Sequence, residues 1–370
     1  MYLLDFQEID TTQKLDAKTL FDLVKLSFGV VAGAGALVAL VVAYRRQRVD
    51  EAGAHREATR LHTERFSQAV GQLGSDSPAV QLGGVHALAG LADDAPDYSL
   101  RQTCIDVLCA YLQLPFTPDP GDDPAHQEGH RRYLALRKVR HTILRLIGDH
   151  YRRPQGTRRS WQGCDLDLTG VTIDGPIDFS GATFSSGTVT FKGAVFSDGS
   201  VAFRGATFSS GTVNFSDAWF SGSTVSFLNA RFSGGGVSFY SATFSSGTVA
   251  FRGATFSSGT VNFGDATFAG GTVTFYSATF AGGTVTFGDA TFSRGTVHFG
   301  DATFSSGTVN FYRATFAGGT VTFSDATFSG SSVSFSNATG APPDDLLAAV
   351  GTSVPAGIVD LPGIWLSPNP

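Results

Sequence analysis

Ala182-Thr-Phe184-Ser-Ser-Gly187-Thr-Val189-Thr-Phe191-Lys-Gly193 decides the fold, because the chain repeats this unit without a slip as far as Asn337. Ala194, Ala206 and Ala218 continue a series that ends at Ala338. A Phe follows two places after each Ala, from Phe184 through Phe196 and Phe208 to Phe328. A second Phe follows seven places later, from Phe191 through Phe203 and Phe215 to Phe335, each with a Val two places before it. Ala-x-Phe and Val-x-Phe are period-2 segments, apolar on one side and Thr, Ser or Asn on the other. Helical spacing is absent, and Gly, Ser and Thr form helices poorly. A fixed period of this kind marks a solenoid: one unit cannot bury its Phe, but stacked units bury a continuous row. Burying one Phe stabilises by about 1.5–3 kcal/mol, so the 26 Phe of the two series contribute tens of kcal/mol before chain entropy is subtracted. Gly187, Gly211, Gly247 and their equivalents are expected at corners between the segments, where permissive backbone angles are needed.

Val189-Thr-Phe191-Lys-Gly followed by Ala194-Val-Phe196 resembles the pentapeptide-repeat family, whose unit is a small residue, a variable one, a central Leu or Phe and two more variable positions. Val171-Thr-Ile173-Asp-Gly and Ile177-Asp-Phe179-Ser-Gly resemble it as well. The resemblance implies a right-handed, quadrilateral β-helix with one pentad per side. It carries a shape and no particular activity. This chain departs from the pattern by a two-residue insert, first Gly187-Thr188, after every second pentad. A four-sided coil then holds two complete repeat units. Either the insert widens two corners or it changes the number of sides.

The rest of the chain gives an α+β multidomain reading: a tail over 1–25, a transmembrane helix over 26–44, a helical stalk and module over 45–160, the β-solenoid over 161–340 and a C-terminal cap over 341–370. Leu26 to Tyr44 carries no charge and is long enough to cross a bilayer as a helix. Arg45, Arg46 and Arg48 follow it, which favours the cytoplasm for everything after the span and offers contacts to anionic lipid. A cleaved signal peptide fits poorly, since the leading region is long and not basic. Gly29, Gly33 and Ala36 fall near one face and form a helix-pairing signal, from which a homodimer is the expectation. Ser77-Pro78 starts a helix with Leu82, Val85, Leu88 and Leu91 inward. A second helix begins near Ser99. A third carries Tyr133, Leu136, Val139, Ile143 and Ile147. The run Phe66-Ser-Gln-Ala-Val70 and Gln81-Leu82-Gly83-Gly84-Val85 resembles a HEAT-type helical module that precedes pentapeptide repeats in bacterial membrane proteins.

Net charge is −6, which is mild. Residues 93–128 hold eight acids and one Arg, while 131–159 hold ten bases and one acid. The two runs are read as neutralising each other or coating a solvated face, rather than as a nucleic-acid patch. Cys104, Cys109 and Cys164 lack disulfide or metal-ligand spacing and are read as buried reduced thiols. His126-Gln-Glu128-Gly-His130 is not a zinc motif and is placed in a loop. Asp265 with Asp289, and Asp301 with Asp325, fall one coil apart and are read as solvated like charges rather than as a cation site. The remaining His residues lack a nucleophile with an orienting acid. No catalytic, cofactor or metal residues are assigned.

The reading is a membrane-anchored, non-catalytic scaffold. It contacts lipid through one helix and an unidentified protein through the rod, on the cytoplasmic side. Trp219, Arg231, Tyr240, Tyr276, His298 and Tyr312 are the main breaks in the repeat, and Trp219, Tyr240, Tyr276 and Tyr312 are the expected interface aromatics. The alternatives are an exported adhesive stalk and a DNA-mimicking topoisomerase binder. The second needs an acidic rod, whereas Asp178 to Asn337 holds seven acids and six bases.

Overall fold

The computed structural model describes residues 16–117, 119–121, 123–350 and 358–366. Positions 1–15 of the expected tail, and 351–357 and 367–370 of the expected cap, lie outside the described residues. The chain divides into two compact units, 1–61 and 62–370.

In the first unit the described chain is one helix, part of α1 (Ala17–Leu73). It begins before the expected span. It is long and apolar enough to cross a membrane, with none of its most apolar window buried.

In the second unit α2 (Pro78–Asp94), α3 (Tyr98–Gln113) and α4 (Gln127–Tyr151) form a small helical module with the end of α1. Pro78 stands at the first helical position of α2, where its missing N–H costs nothing. Asp97 caps α3 by accepting from the Leu100 N–H at 2.9 Å. Val85, Leu88 and Leu91 face the core as expected, but Leu82 is only half-buried. The closest approach belongs to Gly84, where a Cβ would come within 2.6 Å of the Leu73 nitrogen.

The solenoid follows. Thr183 pairs with Thr207 and Thr190 with Asn214 in parallel, so one coil is two repeat units. The pairings gather into sheets of 12 and 13 strands. Each unit gives two segments to one sheet, Thr183–Phe184 and Thr188–Thr190 for example, and the next unit gives two to the other. The insert therefore sits within a sheet. Where the two segments merge into one longer strand, as in Trp219–Ser226, the insert is a bulge with a register shift at Ser221. Elsewhere it is a bend whose N–H groups converge on a carbonyl below: Ser209, Ser210 and Gly211 all donate to Phe184 O, at 3.0, 3.3 and 3.0 Å.

The tight turns between sheets lie elsewhere, one residue before each Ala. Phe191 O accepts from the Ala194 N–H at 3.0 Å, and Gly193 between them has φ +62°, the positive angle that a type II turn requires at its third residue. The same left-handed position recurs every unit: Asp217, Asn229, Ser241, Asp265 and onward to Asn337. Gly187, expected at such a corner, is needed for a different reason. Besides its positive φ, a Cβ there would lie 2.7 Å from Gly163 O in the coil beneath.

Inside, every Phe of both series is buried. The rings form four parallel stacks, as in Phe184–Phe208, Phe191–Phe215, Phe196–Phe220 and Phe203–Phe227, with centroids 4.8 to 4.9 Å apart and planes within 8°. The ring spacing equals the strand spacing. At the C-terminal end Trp365 packs on Phe316 and Phe335, and its Nε1 donates to Gly340 O at 2.9 Å. Val359–Asp360 adds a last strand, and buried Leu346 of α5 (Leu346–Val350) closes the remaining edge. These described residues cover the last coil of the Phe stack.

Candidate functional site

The opposite end of the Phe stack is closed by the helical module. Buried Tyr151 of α4 packs on Phe179 and Phe184 with centroids 5.6 Å away, and its hydroxyl donates to Cys164 O at 2.7 Å. Trp161 is fully buried, stacks on His150 at 4.1 Å and donates to Asp93 Oδ1 at 3.1 Å. Asp93 also faces His150 Nε2 and Arg153 Nη1, each at 3.2 Å. One carboxylate at the end of α2 thus gathers the end of α4 and the start of the solenoid.

Part of the basic run over 131–159 is engaged in the same junction. Arg137 Nε and His141 Nε2 lie 2.8 and 2.9 Å from the two oxygens of Asp174. Arg152 reaches Asp178 at 2.7 Å and Asp149 at 2.6 Å, and Arg158 approaches Asp94 at 3.4 Å. Burial raises the Asp174 pKa, but the hydrogen bonds and charges of His141 and Arg137 outweigh it and hold the carboxyl down at about 2. The pairing expected between basic and acidic runs is present, though part of it is with the first coil of the solenoid. Arg140 is buried and lies over the Phe116 ring at 4.7 Å.

Cys104, Cys109 and Cys164 are free and buried. Burial pushes the first two thiols up to about 12 and the third to about 11. The expected loop around His126 is a short 3-10 turn, Pro124–His126, leading directly into α4. His130 Nδ1 is 2.7 Å from Asp119 Oδ1. Among the described residues, no group of three or more His, Cys, Asp or Glu could hold a metal.

Trp219, Tyr240, Tyr276 and Tyr312 are all 40–52% exposed. Two of the tyrosines are engaged along a turn row. Asp265 beside Tyr240 pushes the phenol pKa up, and the ring lies where a Cβ on Gly264 would come within 3.4 Å. Tyr276 repeats the pattern with Asp301 and Gly300, where the ring is 3.3 Å away. In both, the partner Asp holds the left-handed turn position of the next coil, one place beyond the Tyr register. Lys192 with Asp217 at 4.0 Å has the same offset, and Arg313 with Asp289 at 3.1 Å runs back by one coil. Of the Asp residues expected to be solvated like charges, Asp289 is paired with Arg313, and Asp265 and Asp301 each raise the pKa of a neighbouring tyrosine. Trp219 Nε1 donates to Ser245 Oγ at 2.7 Å.

Two concavities stand out. One, about 400 Å³, is an apolar cleft in the helical module among Val70, Val107, Tyr111, Leu114 and Leu136, with Arg132 at its rim. The other, about 710 Å³, is a polar groove on the solenoid between Arg252 and the cap residues Asp344 and Asp345, with His298 along it. The sequence signal for the second was His298 and Tyr276 as breaks in the repeat. Arg252 and the cap acids were missed. In the first unit Arg45, Arg46 and Arg48 are exposed on α1, and no atom lies within 4 Å of a Cβ built on Gly29 or Gly33.

The comparisons agree with the coil. Residues 198–243 match the family model described as pentapeptide repeats (9 copies). No curated protein and no solved structure matches the chain. The matched segment lies inside an uninterrupted series of equivalent coils, and the solenoid is built of pentapeptide repeats similar to those of that family.

Proposed function

We propose that the protein is a membrane-anchored, non-catalytic scaffold that presents its solenoid to a partner protein on the cytoplasmic side. The observation that carries this is the rod itself. Its interior is filled by four Phe stacks, while its outer faces are a nearly neutral lattice of Thr, Ser and Asn fixed by backbone ladders. Repeat architectures of this kind offer extended binding surfaces. α1 supports the anchor by length and composition. Arg45, Arg46 and Arg48 set the sidedness in this reading, and pairing of two spans through Gly29, Gly33 and Ala36 belongs to the same reading.

Proximity labelling tests it. A labelling enzyme fused after Pro370 is expected to mark a reproducible set of cytoplasmic proteins that a fusion to residues 1–61 alone does not mark. Identical sets from the two fusions would overturn the scaffold.

A further inference from the structure

The groove on the solenoid has a chemistry that the repeat alone does not supply. It runs beside one turn row, along strand ends where successive coils place Ala250, Thr274, His298, Thr322 and Asp344 in parallel register. Four strand steps span about 19 Å. Arg252 stands at one end. Among the described residues it has no carboxylate partner, and its guanidinium lies 5.2 Å from the Tyr276 ring centroid. Asp344 and Asp345 stand at the other end. Asp345 accepts only from neutral hydroxyls, Ser324 Oγ at 2.6 Å and Thr322 Oγ1 at 3.4 Å, and Asp344 is exposed with its backbone held in the ladder. Neither acid has a basic partner among the described residues. Between the two ends the Tyr276 ring lies over Gly300, 3.3 Å from where a Cβ would stand, and forms part of the groove lining.

One groove of about 710 Å³ thus carries an unneutralised cation at one end and unneutralised anions at the other, with hydroxyl-bearing walls between. We propose that it binds an extended peptide segment bearing an acidic residue at the Arg252 end and a basic residue at the Asp344 end. The dimensions fit: an extended chain advances about 3.3 Å per residue, so about six residues cover the distance. Hydroxyls of Thr274, Thr322 and Ser324 suit a peptide backbone, which offers donors and acceptors at every step. A neutral glycan would leave both charges unused, and a nucleic acid would meet the two aspartates. This site rests on the scaffold reading and names the chemistry of its partner.

The test uses the full chain in detergent micelles and immobilised hexapeptide pools with four randomised central positions between fixed ends: Glu and Lys, Glu and Glu, or Lys and Lys. The unsubstituted protein is expected to bind the mixed-end pool about fivefold to tenfold more strongly than either like-charged pool. Arg252→Glu should shift the preference to the Lys–Lys pool, while Asp344→Lys, beside the remaining Asp345, should make the Glu–Lys and Glu–Glu pools bind alike. Both substitutions are at exposed positions, and an unchanged melting temperature separates lost binding from lost fold. Equal binding to all three pools, or preferences that do not follow the substitutions, would overturn the proposal. If Arg252→Glu leaves the proximity-labelled set intact while the pools show no preference, the scaffold survives and this groove does not. Equal retention of a neutral glycan by all three proteins, with no peptide preference, would overturn the groove's peptide chemistry in favour of sugar.

Discussion

Gly148 of α4 lies against the backbone of Asp178 in the first coil so closely that a Cβ would come within 2.7 Å of the Asp178 carbonyl oxygen. The helical module is therefore docked on the solenoid at a point with no room for a methyl group. Gly148→Ala is expected to destabilise the protein by about 1–3 kcal/mol through overpacking, although alanine favours a helix more than glycine does. Chemical denaturation followed by far-ultraviolet circular dichroism checks it. An increase in stability would show that the junction is not close-packed.

The left-handed turn position before each Ala gives a second test. Asp325 has φ +56° and an exposed side chain with no ion pair among the described residues. Asp325→Val should cost about 1–2 kcal/mol, because a β-branched residue is strained there. Asp325→Gly should be within about 0.5 kcal/mol of the parent. The midpoints of thermal unfolding for the pair decide it.

The Asp174 carboxyl, held at about 2, sets a pH dependence with a definite sign. Its folded pKa lies below its unfolded value, so its contribution is present above about pH 4 and is lost as pH falls through about 2. The loss amounts to about 2 kcal/mol. The parent should therefore lose stability between pH 4 and 2 more steeply than Asp174→Asn, as measured by urea titrations at each pH.

Much of this was legible in the sequence because each core residue recurs at a fixed step. The two-unit coil, the buried Phe rows and the helices starting at Pro78 and near Ser99 all follow from spacing. The turn position was harder to see. Gly181, Gly193 and Gly205 hold it first, but Asp, Asn, Ser and Arg313 hold it later, and the insert glycines drew attention to the wrong place. Tyr240 and Tyr276 read as free aromatics until their offset to Asp265 and Asp301, one coil and one place further on, is known. The closure of the Phe stack by Tyr151 was not legible, because it joins segments that share no period.

The three thiols bear on how the chain can be probed. Burial keeps Cys104, Cys109 and Cys164 out of solvent and raises each pKa to about 11 or 12, so little thiolate forms near neutrality. None should react with a water-soluble disulfide reagent at pH 8 in the folded protein, and all three should react in urea. Fast reaction of the folded chain would contradict the burial.

That silence makes the most direct measurement possible, which is the side of the membrane on which the rod sits. Lys18→Cys precedes the apolar stretch and Lys192→Cys lies on the solenoid, both exposed. In intact cells an impermeant maleimide is expected to label Lys18→Cys at once and Lys192→Cys only after the cells are opened. Labelling of Lys192→Cys in intact cells would contradict a cytoplasmic scaffold and place the rod outside.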